Sequence, residues 1–228
     1  MLILLLVLGS VYFLRSSAFS ITEIQIQGTH LAQPQEVLRL AEFARGQNLL
    51  LIDQEAIKRK ISLHPLIQTV QLQRKMPHTL TVKVTERTPS ALVLVPKGVV
   101  EVDNQGVFLR RLEGWPTQDY PLITGVQVPD TAGPGQTIAV ATLQAALQLL
   151  GQAPAGLLPQ IGELNVNQVG QMTMFLTSGV EVRLGHNTQW KEKLAALLAL
   201  LNDPGYQSVE KTVRYIDFTA AKPVIGRN

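Results

Sequence analysis

Residues 65–91 constrain the fold of this chain most, because two runs of alternating apolar and polar residues flank a single break. The alternation covers residues 70–73 and again 80–85. A period of two is typical of strands with one buried and one solvated face. Met76-Pro77-His78 separates the runs, and proline cannot donate to a central ladder. The stretch therefore predicts two strands joined by a turn.

The residues upstream of this hairpin predict one strand followed by two helices. The strand covers residues 24–27 and ends at Gly28; the first helix begins at Pro34 and stops at Gly46; Asp53 is a suitable N-cap for the second. Apolar residues with helical spacing are Val37, Leu40, Ala41 and Ala44 in the first helix and Ile57 and Ile61 in the second. Two helices on one face of a three-stranded sheet would bury both sets.

After Pro89 the pattern changes to short strands, turns and two amphipathic helices. One helix carries Val140, Leu143, Leu147 and Leu150; the other carries Trp190, Leu194, Leu197, Leu198 and Leu201 and ends at Asp203-Pro204-Gly205. Trp115, Tyr120, Leu122 and Ile123 are interpreted as packing residues of an irregular connection. Strands are predicted over 91–95, 99–102, 107–109, 161–166, 172–176, 180–184 and 213–218, and Val224-Ile225 extends or pairs with the last one. The fold class is α+β.

The first 14 residues carry no charge. As a helix they would span about 21 Å, less than the roughly 30 Å of a bilayer core. A cleaved signal peptide could use Ser16-Ser17-Ala18 as its small-residue site, but lacks a basic start. A buried core helix is a further alternative. We expect a membrane anchor over residues 1–19 whose upstream part is missing.

The composition and the motifs argue against an enzyme and against nucleic-acid binding. Twenty basic and 17 acidic residues give a net charge of +3, and the basic residues do not cluster with aromatic ones, which are only 5% of the chain. The absence of cysteine excludes disulfides and thiolate metal sites. The four histidines lack metal-ligand spacing, and nucleophile-elbow and phosphate-loop motifs are missing. We expect no catalysis, cofactor, metal or small-molecule substrate.

The order of these pieces resembles the periplasmic part of the FtsQ/DivIB cell division family. Most specific is the run Arg74-x-x-Pro77-x-x-Leu80-x-Val82-x-Val84-x-Glu86-Arg87-x-Pro89-x-Ala91, followed by Val102-Asp103-x-x-Gly106-Val107-Phe108. Further matching pieces are Ile24-x-Ile26-x-Gly28, Asn48-Leu49, Asp53, Pro65-x-Ile67, Pro121-Leu122-Ile123-Thr124-Gly125, Val182-Arg183-Leu184-Gly185 and Tyr215-Ile216-Asp217-Phe218. The family pattern has a cytoplasmic tail before the anchor, which we expect upstream of Met1, and it frequently has an arginine where this chain has Thr219.

The resemblance implies a bitopic, non-enzymatic scaffold of the bacterial divisome. It implies an anchor (1–19), a POTRA-like β-α-α-β-β domain (20–88) and a β-rich FtsQ-type domain with two helices (89–228). The expected location is the inner membrane at the division septum, as a single-pass protein with most of the chain periplasmic. Implied partners are FtsB- and FtsL-like coiled-coil proteins at the β domain, with FtsW- or FtsI-like proteins as further candidates. The alternatives are a POTRA-bearing transport or assembly factor and a secreted binding domain unrelated to division.

Partner binding is expected by strand addition, with the strand over residues 213–218 as the candidate sheet edge. Pro223 in its continuation suits an edge strand. Arg183, Lys191 and Lys193 either pair with acidic partner residues or are merely solvated. Glu86 and Arg87 at the junction of the two domains form either a cross-strand pair or a recruitment surface. The candidate partner-binding residues are Arg183, Trp190, Lys191, Tyr215, Ile216, Asp217, Phe218, Thr219, Ala220, Lys222 and Val224.

Overall fold

The computed structural model of the chain describes residues 1–96, 98–114, 120–186, 189–220 and 222–227. Two compact units make up the chain, Met1–Arg87 and Thr88–Asn228. Both units combine helices with a sheet, and strands predominate in the second. The mixed α+β class is therefore confirmed, and Trp115 lies outside the described residues.

The N-terminal unit follows the predicted order of strand, helix, helix, strand, strand. β3 (Thr79–Glu86) is the central strand of its sheet, parallel to β1 (Glu23–Gln27) and antiparallel to β2 (Ile67–Lys75). Five of the six predicted apolar helix positions, Val37 and Ala41 among them, are buried in its core, and Leu40 is half-buried. Asp53 caps the second of the two core helices, since its Oδ1 accepts from the Ala56 N–H at 3.0 Å. The elements are α1 (Leu2–Leu14), β1 (Glu23–Gln27), α2 (Pro34–Ala41), α3 (Gln54–Ile61), β2 (Ile67–Lys75) and β3 (Thr79–Glu86).

The polar face predicted for β3 is partly buried, in contrast to the simple alternation. Thr79 and Thr81 are buried although they lie on the face that the pattern predicts to be solvated. The Lys75 Nζ donates to the Gln25 Oε1 at 3.2 Å, so these two long side chains meet across the central strand. They cover the shorter threonines beneath them.

The apolar N-terminal helix α1 is exposed along its whole length. Among the described residues, no helix has both the length and the apolar character required to traverse a bilayer. The predicted anchor is therefore not confirmed.

The C-terminal unit is a nine-stranded sheet with helices packed on it. Most of its buried apolar residues form one cluster that includes Val93, Leu164, Val182, Leu194 and Ile216. The strands are β4 (Pro89–Val95), β5 (Gly98–Asp103), β6 (Phe108–Leu112), β7 (Leu122–Thr124), β8 (Ile161–Val166), β9 (Met172–Leu176), β10 (Glu181–Gly185), β11 (Val213–Asp217) and β12 (Val224–Arg227). Their order in the sheet is β12-β11-β10-β9-β8-β7-β4-β5-β6. The helices are α4 (Ala141–Gln152), α5 (Trp190–Leu201) and α6 (Pro204–Val209).

Two predicted irregular stretches of this unit are in fact regular elements. The supposed connection around Leu122 is the short strand β7, which lies between β4 and β8 and is parallel to both. The expected stop at Asp203-Pro204 begins the additional helix α6. Asp203 Oδ1 accepts from the Tyr206 N–H at 3.0 Å, and proline is favourable in the first turn of a helix. The same residues therefore start a helix instead of only ending one.

A buried carboxylate in β5 has a direct ionic partner. Glu101 is 1% exposed, and its two carboxylate oxygens accept from Arg110 Nε at 2.6 Å and Nη2 at 3.0 Å. The two residues face each other across the β5–β6 pair. This two-bond contact compensates the desolvation of the carboxylate.

Candidate functional site

The predicted edge strand is an internal strand of the sheet. β11 pairs with β10 on one side and with β12 on the other. The expectation that residues 213–218 form the edge is therefore wrong. The four residues of β12 pair antiparallel with β11 on its other side, and of the two predicted alternatives for Val224-Ile225, pairing with the last strand is confirmed. The sheet ends at β12.

The backbone of Ile225 points away from the sheet at this edge. The Phe218 N–H donates to the Arg183 carbonyl at 2.8 Å, on the β10 side of β11. Successive residues of a strand alternate in direction, so the backbone groups of Asp217 face β12, where its register partner is Val224. The N–H and C=O of Ile225 then face outward and are available to a further strand.

The opposite end of the sheet is less accessible than β12. A passing segment pairs with the beginning of β6: the Phe108 N–H donates to the Gln136 carbonyl at 2.9 Å, and the Gly135 N–H donates to the Phe108 carbonyl at 2.7 Å. Within the described residues, no comparable segment lies along the outer side of β12. This difference singles out β12 as the open edge.

An aromatic side chain extends over the last strand. The Arg183 guanidinium lies 4.4 Å from the centre of the Tyr215 ring, and Tyr215 is the register partner of Gly226. A Cβ at Gly226 would lie only 2.1 Å from the Tyr215 ring. The ring thus occupies the place of a side chain on β12. It brings a predicted site residue to the margin of the sheet.

A charged turn adjoins this ring at the end of β11. Asp217 Oδ1 accepts from the Thr219 N–H at 2.7 Å and from the Thr219 hydroxyl at 2.6 Å. The Thr219 hydroxyl, more than the neighbouring Arg183 and Lys193, holds the pKa of Asp217 below its usual value against partial burial. Asp217 is therefore a charged acceptor at neutral pH.

Other predicted site residues divide between the core and the surface. Trp190, Ile216 and Phe218 are core residues, so a direct side-chain contact with a partner is not available to them. Lys193 is half-buried, and its Nζ donates to the Leu184 carbonyl at 2.7 Å, which attaches α5 to β10. The exposed residues of the set are Lys191, Thr219, Ala220, Lys222 and Val224.

Sequence reasoning missed the residues that define the edge itself. The sequence pattern predicts pairing only for Val224-Ile225, whereas β12 also contains Gly226 and Arg227. A glycine inside a strand frequently marks a place where another group approaches closely. That rule, applied to Gly226, could have indicated the contact with Tyr215.

Glu86 has a different partner from the predicted cross-strand pair. Its carboxylate accepts from the backbone N–H groups of His30, Leu31 and Ala32 at 2.8–2.9 Å. Partial burial raises the pKa of Glu86, but the three N–H donors outweigh it, and the pKa lies below its ordinary value. Glu86 thus fixes the loop between β1 and α2. The Arg87 N–H donates to the Leu66 carbonyl at 2.8 Å.

Acidic and histidine side chains do not gather into a metal site in the described part of the chain. The structure offers an open strand edge with an aromatic and a charged group beside it. This arrangement suits the binding of an extended polypeptide.

Comparison with known proteins identifies both units. The family model described as "POTRA domain, FtsQ-type" matches residues 19–87, and the model "Cell division protein FtsQ/DivIB, C-terminal" matches residues 91–218. The cell division protein FtsQ of Anaeromyxobacter sp. is 31% identical over 206 residues, which are 89% of this chain and 69% of the relative. FtsQ of Myxococcus fulvus is 30% identical over 212 residues, or 90% of this chain and 72% of that protein.

Among solved structures, the major extracytoplasmic domain of DivIB from Geobacillus stearothermophilus is similar to this chain with a TM-score of 0.35 and 16% identity. The match covers 57% of this chain and 98% of that one, and a TM-score of this size does not establish a common fold. The relatives are named as cell division proteins and not as enzymes. With an FtsQ/DivIB model spanning more than half of its length and relatives matched over most of theirs, the chain belongs to the FtsQ/DivIB family of cell division proteins.

Proposed function

We propose that this protein is a membrane-anchored scaffold of the divisome that binds an FtsB-like coiled-coil partner, together with FtsL, by strand addition at β12. Membership of the family supports a role in cell division and implies protein partners. The observation that carries the proposed mechanism is the outward-facing backbone of Ile225 on the open edge of the sheet.

Main-chain hydrogen bonds to β12 would supply affinity, and the neighbouring side chains would select the partner. Val224 is 49% exposed and offers an apolar contact next to the edge. Tyr215, which lies over Gly226, adds an aromatic surface. Lys191 and Lys222 are exposed cations and would attract an acidic partner segment.

The remaining parts of the scaffold follow the same proposal. Residues 1–19 form the anchor in the inner membrane, residues 20–88 form the POTRA-like domain, and residues 89–228 form the β domain. The exposed, uncharged helix α1 supports the anchor. The bulk of the chain is periplasmic at the septum, where FtsW- or FtsI-like proteins are further candidate partners.

Replacing Ile225 by proline tests the proposed edge. The change removes the outward N–H and leaves the bonds of Val224 and Gly226 to β11 in place, because those groups face inward. We expect binding of the extracytoplasmic segment of the FtsB-like partner to weaken at least about tenfold, equivalent to about 1.4 kcal/mol. Titration calorimetry with the detergent-solubilised full chain measures this.

The matched control is Ile225→Ala, which shortens the same side chain but keeps the N–H. It should bind the partner nearly as well as the unmodified chain, and hydrogen exchange should show new protection in β12 on binding. Equal binding by Ile225→Pro and Ile225→Ala would contradict strand addition at this edge. No binding by the unmodified chain would contradict the proposed partner.

A further inference from the structure

The side chain of Asn48 joins the end of α1 to an exposed turn. Its Nδ2 donates to the Leu14 carbonyl at 2.8 Å, one of the carbonyls that the end of a helix leaves without an intrahelical partner. Its Oδ1 accepts from the Leu50 N–H at 2.9 Å and closes the turn over residues 48–51. The Leu49 N–H also donates to the Phe19 carbonyl at 2.8 Å. The turn is therefore held at the level of the last turn of α1.

Two exposed apolar side chains lie at this end of the N-terminal unit. Leu51, in the turn, is 63% exposed, and Met76, at the tip of the β2–β3 hairpin, is 53% exposed. The hairpin tip belongs to the same end, because its His78 carbonyl accepts at 3.0 Å from the N–H of Thr22, which lies in the segment between α1 and β1. We call residues 48–51 and 75–78 the anchor-side end.

The composition of α1 indicates the depth at which this end would lie. The helix has no charged residue and is fully exposed. Its last turn contains Tyr12 and Phe13, and aromatic residues such as Tyr mark the interface between lipid and water in membrane helices. Because Asn48 binds the Leu14 carbonyl, the anchor-side end would lie at that boundary if α1 is inserted in the membrane.

Three basic residues lie in or near the anchor-side end, and one of them, Arg45, is paired with Glu42. Lys75 is part of the hairpin tip, Arg74 precedes it, and the Arg45 Nη1 donates to the Thr22 carbonyl. Glu23 and Glu42 lie on the same side, and both are already engaged, with Thr79 and Arg45 respectively. Cations beside exposed apolar residues fit a bilayer surface with anionic headgroups.

We propose that the anchor-side end is a second lipid-binding surface, in which Leu51 and Met76 enter the headgroup region beside α1. This inference rests on the proposed anchoring of α1 in the membrane. It gives the N-terminal unit two points of attachment to the bilayer. The unit would then be held in a defined orientation to the membrane and would not swing freely on residues 16–20.

Single cysteines test the contact, since the chain contains no cysteine of its own. Tyr12→Cys, Leu51→Cys and Leu63→Cys variants of the full chain are labelled with an environment-sensitive fluorophore and reconstituted in phosphatidylcholine vesicles containing phosphatidylglycerol. Lipids with a spin label near the headgroup quench fluorophores that reach the bilayer.

Leu63 is the matched control: it is a leucine in the same unit, 74% exposed, and lies near the start of β2. β3 separates that end from the anchor-side end by about 25 Å.

We expect quenching at residues 12 and 51 and little at residue 63, and we expect Met76→Cys to behave like Leu51→Cys. Quenching at residue 12 alone would overturn the second contact and leave the anchor in place. No quenching at residue 12 would overturn both. A spectral shift at residue 51 without quenching would point to contact with another protein copy and would also overturn the proposal.

Asn48→Asp tests the connection through the side chain. Aspartate keeps the acceptor for the Leu50 N–H but loses the donor to the Leu14 carbonyl. In vesicles of phosphatidylcholine alone, this change should reduce quenching at residue 51 at least twofold and leave quenching at residue 12 unchanged. Unchanged quenching at both positions would refute the role of Asn48.

Discussion

At the scale of single residues, Glu86 is a carboxylate held by three backbone N–H groups. Its folded-state pKa is lower than that of the unfolded chain, so the interaction stabilises the fold above the ordinary carboxyl range and is lost as the pH falls through the folded-state pKa. Glu86→Gln should lower the protection of the Leu31 and Ala32 amides at neutral pH by about 1–2 kcal/mol, a range reduced for partial exposure. Hydrogen exchange measures this.

The pH dependence distinguishes the charge from the shape of Glu86. As the pH falls below the ordinary carboxyl range and through the lowered pKa of Glu86, the carboxylate is increasingly protonated, so the difference between Glu86→Gln and the unmodified chain should shrink there. Glu55→Gln is the control in the same unit, since Glu55 forms only an exposed pair with Lys58 and should contribute less than about 0.5 kcal/mol. A difference that stays constant with pH would refute the charge-based account.

A second prediction at the scale of single residues concerns the contact between Tyr215 and Gly226. A methyl group at residue 226 would lie where the tyrosine ring now lies, so Gly226→Ala should displace the ring from β12 and from Arg183. We expect a loss of about 1–2 kcal/mol in the free energy of unfolding in urea. In a Tyr215→Ala background the same change should cost less than about 0.5 kcal/mol. Equal costs in both backgrounds would contradict the contact.

At the scale of elements, α3 depends on its N-cap. Asp53 accepts a hydrogen bond from the N–H of Ala56, and loss of such a cap costs about 1 kcal/mol. In Asp53→Ala the protection of the α3 amides against hydrogen exchange should fall by this amount. In Asp53→Asn, which keeps an acceptor, the protection should remain close to that of the unmodified chain. A similar effect of both changes would refute a capping role.

Also at this scale, β12 is only four residues long and lies at the end of the sheet. Short edge strands limit unwanted pairing between molecules. Arg214 has no register partner between the pairs Val213–Arg227 and Tyr215–Gly226, so β11 is irregular opposite the end of β12. A short edge beside a bulge restricts pairing to a segment that also fits the neighbouring side chains.

For the whole molecule, the core of the C-terminal unit is built from its own residues. Among the described residues, the buried apolar cluster extends from Ala91 to Phe218 and includes only residues of this unit. A fragment of residues 88–228 should therefore fold alone and unfold in one cooperative transition in urea. A gradual, non-cooperative loss of tryptophan fluorescence and circular dichroism would contradict the proposed boundary near residue 88.

Most helices and strands, and the α+β class, follow from local sequence patterns. The alternation over residues 70–85 and the caps Pro34 and Asp53 depend on backbone sterics and on contacts a few residues apart. Such local signals predicted the β-α-α-β-β order correctly, and the motif run from Arg74 to Phe108 pointed to the family. Burial of Ile57, Ile61, Leu194 and Leu197 also followed from helical spacing.

Which strands are neighbours depends on contacts between residues far apart in sequence. Local patterns therefore left open whether Val224-Ile225 extends or pairs with the last strand, and they could not reveal that β7 lies between β4 and β8. The expected binding surface likewise included Trp190, Ile216 and Phe218, although the packing of helices on the sheet buries them. Glu86 binds backbone N–H groups 54–56 residues away, and Asn48 binds the Leu14 carbonyl 34 residues away. These contacts likewise form only in the folded chain.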